Sequence, residues 1–212
     1  MGPVTQKLDS AEGPGFHVPM PEGYEQRLVA RLKRRDEAAF NELVRLYEGR
    51  VFRLVLRMLG DRAEAEDLSQ EIFVTVFKSI DNFRGDSKLS TWLYRVATNH
   101  CKNRIKYLSR RARGQKKELD EFHDAEAVES ATMSTSAQIP RPDDMAEGHQ
   151  AESLIKRALA DLAEEQRELI VLRDIENLTY DEIQDVTGLA EGTVKSRLHR
   201  ARMALQQRAA EL

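Results

Sequence analysis

The sequence predicts an all-α protein of two small helical domains joined by a flexible acidic linker. Three observations lead there. Apolar residues recur at steps of three and four through most of the chain, the spacing of helices with one buried face. Aromatic residues make up only 6% of the chain and β-branched runs are scarce, which argues against a β-sandwich. No proline falls between Tyr24 and Ile139 or after Pro142, so two proline-free tracts are left for helices with an irregular stretch between them. A length of 212 residues suits one or two small domains, and 41% hydrophobic with 33% charged residues suits a soluble, helix-rich protein.

Residues 1–23 hold four Gly and four Pro with few large apolar groups, and read as a flexible extension. The first helical body spans 24–113. Leu28 and Leu32, then Phe40, Leu43, Val44, Tyr47, Val51, Val55 and Leu59, mark its first helices, and Phe40, Tyr47, Phe52, Phe73 and Phe77 are expected to fill its core. The helix that follows Asp61 carries Leu68, Ile72 and Val76 at steps of four, with Phe73, Phe77 and Ile80 beside them. Glu64, Glu66, Asp67 and Glu71 fall outside that stripe. Glu64, Asp67 and Glu71 share a face, but no histidine accompanies them, so a solvated or protein-docking face is the better reading than a metal site. A loop, Asp81 to Leu89, leads to a helix from about Ser90, with Ser90 or Ser87 as its N-cap.

The formal net charge of −3 hides a dipolar chain. Residues 24–117 carry 22 basic and 12 acidic groups, whereas 118–153 carry one basic and ten acidic. From Ser87 to Lys117 there are ten Lys or Arg and no Asp or Glu. Such a run attracts phosphate without reading sequence. Trp92, Tyr94, Thr98, Asn99 and Asn103 add stacking faces and amide or hydroxyl groups among the cations, a mixture that holds unpaired bases at roughly 1–3 kcal/mol per stacked base. Taken alone, the run also fits a solvated basic face with Trp92 in the core.

Residues 114–150 lose the helical pattern and read as a linker, acidic from Glu118 to Glu129. The second body spans 151–212. Leu154, Ile155, Ala158, Leu159 and Leu162 mark one helix, and Leu169, Ile170, Leu172 and Ile175 a second. Thr179 and Glu182 have capping-box spacing at the start of a third, and Gly188 ends it as a helix-turn-helix requires. In the last helix Val194, Leu198, Ala201 and Leu205 face inward, leaving Glu191, Lys195, Ser196, His199 and Arg200 outside near its start. A recognition helix places such residues in the major groove. By itself this motif is shared with many response regulators.

Other classes find little support. Cys101 is the only cysteine, so no intramolecular disulfide can form, and a buried small residue is expected there. No Cys/His cluster has zinc spacing, and no segment approaches the ~18 apolar residues of a membrane span. There is no secretory signal pattern, so the cytoplasm is the default. Neither a phosphate-cradling glycine loop nor a nucleophile elbow is present, so no catalytic residue, metal or cofactor is expected and the chain does not read as an enzyme.

The acidic helix with Glu-Asp-Leu-Ser-Gln-Glu-Ile-Phe, then Phe-Arg-Gly-Asp-Ser, then Thr-Trp-Leu-Tyr-Arg-Val-Ala-Thr-Asn closely resembles region 2 of bacterial extracytoplasmic-function (ECF) sigma factors, over about Ala39 to Arg113. Gly-Thr-Val-Lys-Ser-Arg-Leu-His-Arg-Ala-Arg resembles region 4 of the same family. The resemblance implies an alternative sigma factor that directs RNA polymerase to stress promoters. Asp67, Leu68, Gln70, Glu71 and Phe73 would dock a coiled coil of the polymerase largest subunit. Phe83, Arg84, Gly85, Asp86 and Ser87 would line a pocket for a flipped −10 base, with Trp92, Arg95, Asn99 and Lys102 supporting opening and reading. Thr193, Lys195, Ser196, Arg197, His199 and Arg200 would read the −35 duplex, beside the polymerase flap. An anti-sigma factor is implied as a partner, and the linker would thread toward the polymerase active centre. Gln184 departs from the pattern, standing where such motifs usually carry alanine for close helix contact. The competing classes are a helix-turn-helix regulator that binds duplex DNA as a dimer without polymerase, and a single-strand-binding protein acting through 87–117 alone.

Overall fold

The computed structural model describes residues 21–122 and 154–211, and every regular element among them is helical. The first body has four α-helices: α1 (Tyr24–Lys33), α2 (Glu37–Leu59), α3 (Arg62–Ser79) and α4 (Leu89–Phe122), with a 3-10 turn, Ile80–Asn82, closing α3. The second begins with the helical residues 154–160 (α5). It continues with α6 (Glu164–Ile170), which runs into a π turn, Val171–Ile175, then α7 (Tyr180–Thr187) and α8 (Glu191–Glu211). The extension read over 1–23 lies outside the described residues except for 21–23, and so does the linker read over 114–150 beyond residue 122.

Local chemistry sets the helix ends. The Asp36 carboxylate accepts from the Ala38 and Ala39 N–H groups at 2.9 and 3.2 Å, starting α2, and Asp61 accepts from Glu64 N–H at 2.8 Å, starting α3. Gly60 ends α2 at φ 79°, a conformation that costs a side-chain-bearing residue about 1–2 kcal/mol. The N-cap expected at Ser87 or Ser90 is not used. Helix α4 begins at Leu89, and the Leu89 N–H donates to the Glu25 carboxylate of α1 at 2.9 Å, a partner 64 residues upstream. Helix α4 also runs to Phe122, past the boundary read at 113, because residues 110–122 are mostly Arg, Lys, Gln, Glu and Ala-type helix formers and contain no proline.

Helix α2 is the spine of the first body. Ala39, Leu43, Tyr47, Val51, Leu54, Val55 and Met58 form its buried stripe, against which α1, α3 and α4 pack. Burying a leucine-sized side chain contributes about 1.5–3 kcal/mol, so this stripe supplies much of the stability. Of the five aromatics expected in the core, Tyr47 and Phe73 are buried, whereas Phe40, Phe52 and Phe77 are half-buried. Phe40 and Phe77 meet edge to face at 4.9 Å, and Arg35 and Arg62 lie over Phe77 and Phe52 at 5.3 and 5.6 Å. Rings at the bundle edge thus present a face to a guanidinium.

The two bodies are packed together, which the sequence does not predict. Helix α4 lies against α7, and α2 against α6 and the π turn. A single apolar cluster runs from Leu28 through Leu93 and Cys101 to Leu178, Ile183 and Ala201. Arg167 stitches the junction. Its guanidinium donates to the carbonyls of Leu159, Ala160 and Leu162 at the end of α5 and to that of Met58 on α2 at 2.5 Å.

Candidate nucleic-acid interface

The loop between α3 and α4 is held from outside itself. The Lys33 ammonium donates to the Phe83 carbonyl at 2.8 Å, and Arg35 pairs with Asp81 and donates to the Phe77 carbonyl. The Phe83 ring is buried and meets the Trp92 ring at 5.6 Å, tilted by 56°. Gly85 sits at φ 83°, where glycine is favoured by its backbone, since a Cβ there would meet nothing within 4 Å. Loop and helix start together enclose a cavity of about 220 Å³, lined by Asn82, Phe83, Arg84, Gly85, Asp86, Ser87, Trp92 and Arg95. That is below the roughly 300–1,000 Å³ of pockets for drug-sized ligands and suits one small planar group. Phe83 and Trp92 on its lining are buried, while Arg84 and Arg95 are cationic and exposed.

One turn further along α4, Asn99 is exposed on the same side as Arg95. Lys102 is turned elsewhere, with its ammonium 2.7 Å from Glu168 of the second body. Burial lowers the His100 pKa from the usual imidazole value, a shift that the charge of Glu71 opposes and that of Arg104 adds to. Burial likewise pushes the Cys101 thiol up to about 12, so it is held as an unreactive thiol within the core.

The acidic helix α3 divides its residues between two tasks. Leu68 and Phe73, expected to meet a partner protein, point into the bundle, at 1% and 7% exposure, and hold the helix in place. Asp67, Gln70 and Glu71 are exposed. Glu71 and Glu64 are both bound by the Arg104 guanidinium, at 2.7 and 2.6 Å, which ties the acidic helix to α4. Nothing in the sequence around Arg104 signals this role, since its acidic partners stand 33 and 40 residues upstream.

In the second body, α7 and α8 form the helix-turn-helix. The Thr179 hydroxyl accepts from Glu182 N–H, the Glu182 carboxylate accepts from Thr179 N–H at 2.9 Å, and Gly188 turns the chain at φ 72°. Val194, Leu198 and Ala201 are buried, and Leu205 is partly so. Lys195, Ser196, His199 and Arg200 are exposed, while Thr193 and Arg197 are half-buried. Arg197 pairs with Glu165 at 2.8 Å, and Lys195 pairs with Glu191 and lies 5.3 Å above the Tyr180 ring. Gln184 turns outward to Asp181, at 3.1 Å, instead of wedging between the helices.

Residues 43–111 match the family model of Sigma-70 region 2, and residues 152–205 that of Sigma-70, region 4. The chain is 34% identical over 191 residues to the ECF RNA polymerase sigma factor SigW of Bacillus subtilis, covering 88% of this chain and 97% of that one. This chain belongs to the ECF sigma factor family. It is also 34% identical to the RNA polymerase sigma-H factor of Pseudomonas aeruginosa and 33% to the ECF RNA polymerase sigma-E factor of Escherichia coli K12, covering 92% and 93% of those chains and 86% and 87% of its own. As an alternative sigma factor it directs transcription, and its two bodies are the region 2 and region 4 domains.

Solved structures share the fold. CnrH in complex with the cytosolic domain of CnrY matches at a TM-score of 0.59 and 22% identity, over 86% of this sigma factor and 95% of that chain. The sigma factor RpoE of Bartonella quintana, in complex with the anti-sigma factor NepR, matches at 0.53 and 25%, over 80% and 95%. Among the described residues of this sigma factor, no helix is long and apolar enough to cross a membrane, and no group of three or more His, Cys, Asp and Glu could hold a metal ion.

Proposed function

We propose that this sigma factor opens promoters by capturing one flipped base of the −10 element in the cavity at the start of α4. The observation that carries this reading is the cavity itself: about 220 Å³, lined by Phe83, Trp92 and the exposed Arg84 and Arg95 among others, in a loop held by Lys33 and the Gly85 turn. Pulling a base from the stack costs a few kcal/mol, so a pocket already shaped for it lowers the barrier more than added duplex affinity does. Arg95 and Asn99 follow the opened strand. Asp67, Gln70 and Glu71 dock the coiled coil of the polymerase largest subunit, with Leu68 and Phe73 acting through the bundle. Lys195, Ser196, His199 and Arg200 enter the −35 major groove, where Arg and Lys are suited to guanine and phosphate. Thr193 and Arg197 flank them, and the polymerase flap lies beside this domain.

The domains of this reading are an extension over 1–23, region 2 over 24–113, a linker over 114–150 into which α4 continues as far as Phe122, and region 4 over 151–212, in a protein acting with polymerase in the cytoplasm. The sigma factor RpoE of Bartonella quintana is in complex with the anti-sigma factor NepR, which supports an anti-sigma partner for this chain.

The test is a fluorescent adenine analogue placed at successive positions of the −10 non-template strand in a complete polymerase–promoter complex. One position brightens as its base leaves the stack, and Arg84→Ala with Arg95→Ala reduces that signal several-fold while the −35 footprint persists. An unchanged signal in the double variant would place base capture elsewhere.

A further inference from the structure

Helix α1 ends in three consecutive cations, Lys33, Arg34 and Arg35, all exposed. The chain turns there toward α2 through Arg35 at φ 63°, a left-handed conformation that favours glycine. The N–H groups of Arg34, Arg35 and Asp36 close the helix end on the carbonyls of Arg31, Leu32 and Arg31, at 3.1, 2.9 and 3.1 Å. What an arginine adds over a glycine at such a corner is reach. The Arg35 guanidinium donates to the Phe77 carbonyl, pairs with Asp81 and lies 5.3 Å over the Phe77 ring, which pins the corner to the end of α3. The Lys33 ammonium lies 2.8 Å from the carbonyl of Phe83, a residue that lines the cavity.

The charges of this corner are not committed alike. Arg31, just before it, is bound by Asp36 and Glu42 at 2.7 and 3.0 Å, and Arg35 by Asp81. Lys33 gives one of its three N–H groups to Phe83 and makes no ion pair among the described residues. Arg34 makes neither an ion pair nor a side-chain hydrogen bond among them, and the same holds for Arg84 on the cavity loop. Exposed donors without an acceptor therefore stand beside the cavity on the side away from α4.

We propose that the corner between α1 and α2 is a single-strand site: Arg34 and Lys33 bind backbone phosphates of the non-template strand just downstream of the base held in the cavity, and Arg35 fixes the corner beside it. This rests on the base-capture reading and deepens it. A cavity of about 220 Å³ takes a base without its sugar and phosphates, so the flanking phosphates stay at the mouth and the strand runs on in two directions. Along α4 it meets Arg95 and Asn99, and that helix leads on to the body carrying the −35 helix, which makes this the upstream side. The other exit passes the Phe83 backbone, which Lys33 holds, and reaches Arg34. Phosphate contacts carry no base information, so the corner lengthens the life of the open complex on every promoter alike.

The test uses the complete polymerase–promoter complex on a template already melted across the −10 element. Single uncharged methylphosphonate linkages replace the phosphates of the non-template strand, one position at a time, on both sides of the captured base. With the unaltered protein, one or two linkages within the first few positions downstream shorten the life of the complex several-fold. Arg34→Gln shows that loss on the fully charged strand, and the same linkages then cost nothing further. Its log–log salt slope is shallower by about 0.7, one single-strand phosphate, and Arg34→Lys restores both. Arg34 has no side-chain partner to lose, so the denaturation midpoint of Arg34→Gln stays that of the unaltered protein. Equal linkage penalties in Arg34→Gln and the unaltered protein overturn the proposal. So does an Arg34→Gln loss already present in binding to polymerase without DNA, which would assign the corner to a protein contact. The adenine-analogue signal on duplex promoters separates the two readings. A base that brightens with no coupling between Arg34 and any linkage retires the corner alone. Coupling on a promoter where no base brightens retires base capture alone and leaves the corner as a single-strand contact.

Discussion

Replacing Lys195 and Arg200 together by alanine lowers transcription from promoters that depend on a −35 element by roughly ten- to a hundredfold, the size expected when one or two good base or phosphate contacts are lost. The amount of sigma factor bound to polymerase is unchanged. Both side chains are exposed on α8, and neither belongs to its buried face, which is Val194, Leu198 and Ala201. The pair that Lys195 makes with Glu191 is an exposed i,i+4 contact, which exchanges readily for phosphate. Run-off transcription on paired templates, with and without a −35 element, measures the effect. Loss of polymerase binding in the double variant would assign α8 to docking instead.

The second large effect is at Trp92. Its ring is 6% exposed and lines the cavity with Phe83, so Trp92→Ala removes core packing and part of the cavity lining together. A buried Trp→Ala change costs about 3–5 kcal/mol, a large part of the stability of a body this size. Chemical denaturation is expected to show that loss in full, with promoter opening abolished. Trp92→Phe separates the two roles: it retains most of the packing, and its defect on duplex promoters is relieved on a template already melted across the −10 element. A Trp92→Phe protein equally impaired on both templates would mean that the ring does not serve strand opening.

Much of this architecture is legible in the sequence where its cause is local. The capping box of Thr179 and Glu182, the Gly188 turn and the inward face of α8 depend on residues a few positions apart, and the structure carries them as read. What the sequence hides is tertiary. The Leu89 N–H at the start of α4 is satisfied by Glu25, from a different helix, so no nearby serine signals the start. Leu68 and Phe73 carry the same motif as Asp67 and Gln70, yet the helical period turns them inward. Glu168 and Glu176 look like surface charges in a list of residues, and only the packed bodies bring Lys102 and Tyr94 to them. Arg104 sits unnoticed in a basic run because Glu64 and Glu71 are remote in sequence.

The cavity occupies an intermediate place. Its lining residues Phe83 to Ser87 are one contiguous loop and could be named in advance, while the reason the loop holds its shape could not. Lys33 and Arg35, at the end of α1, anchor it from some fifty residues away. A pocket preformed in this way binds with little ordering cost.

The most direct measurement is size-exclusion co-elution of the purified protein with bacterial core RNA polymerase, beside an Asp67→Lys, Gln70→Ala variant, followed by promoter-specific transcription from the eluted complex. Asp67 and Gln70 are exposed on α3 and lie outside the Arg104 ion pairs, so their replacement tests docking without loosening the bundle. Stoichiometric co-elution with specific initiation, both lost in the variant, is the predicted result. A protein that stays apart from polymerase and shifts duplex DNA alone, as a dimer on palindromic sites, would contradict it.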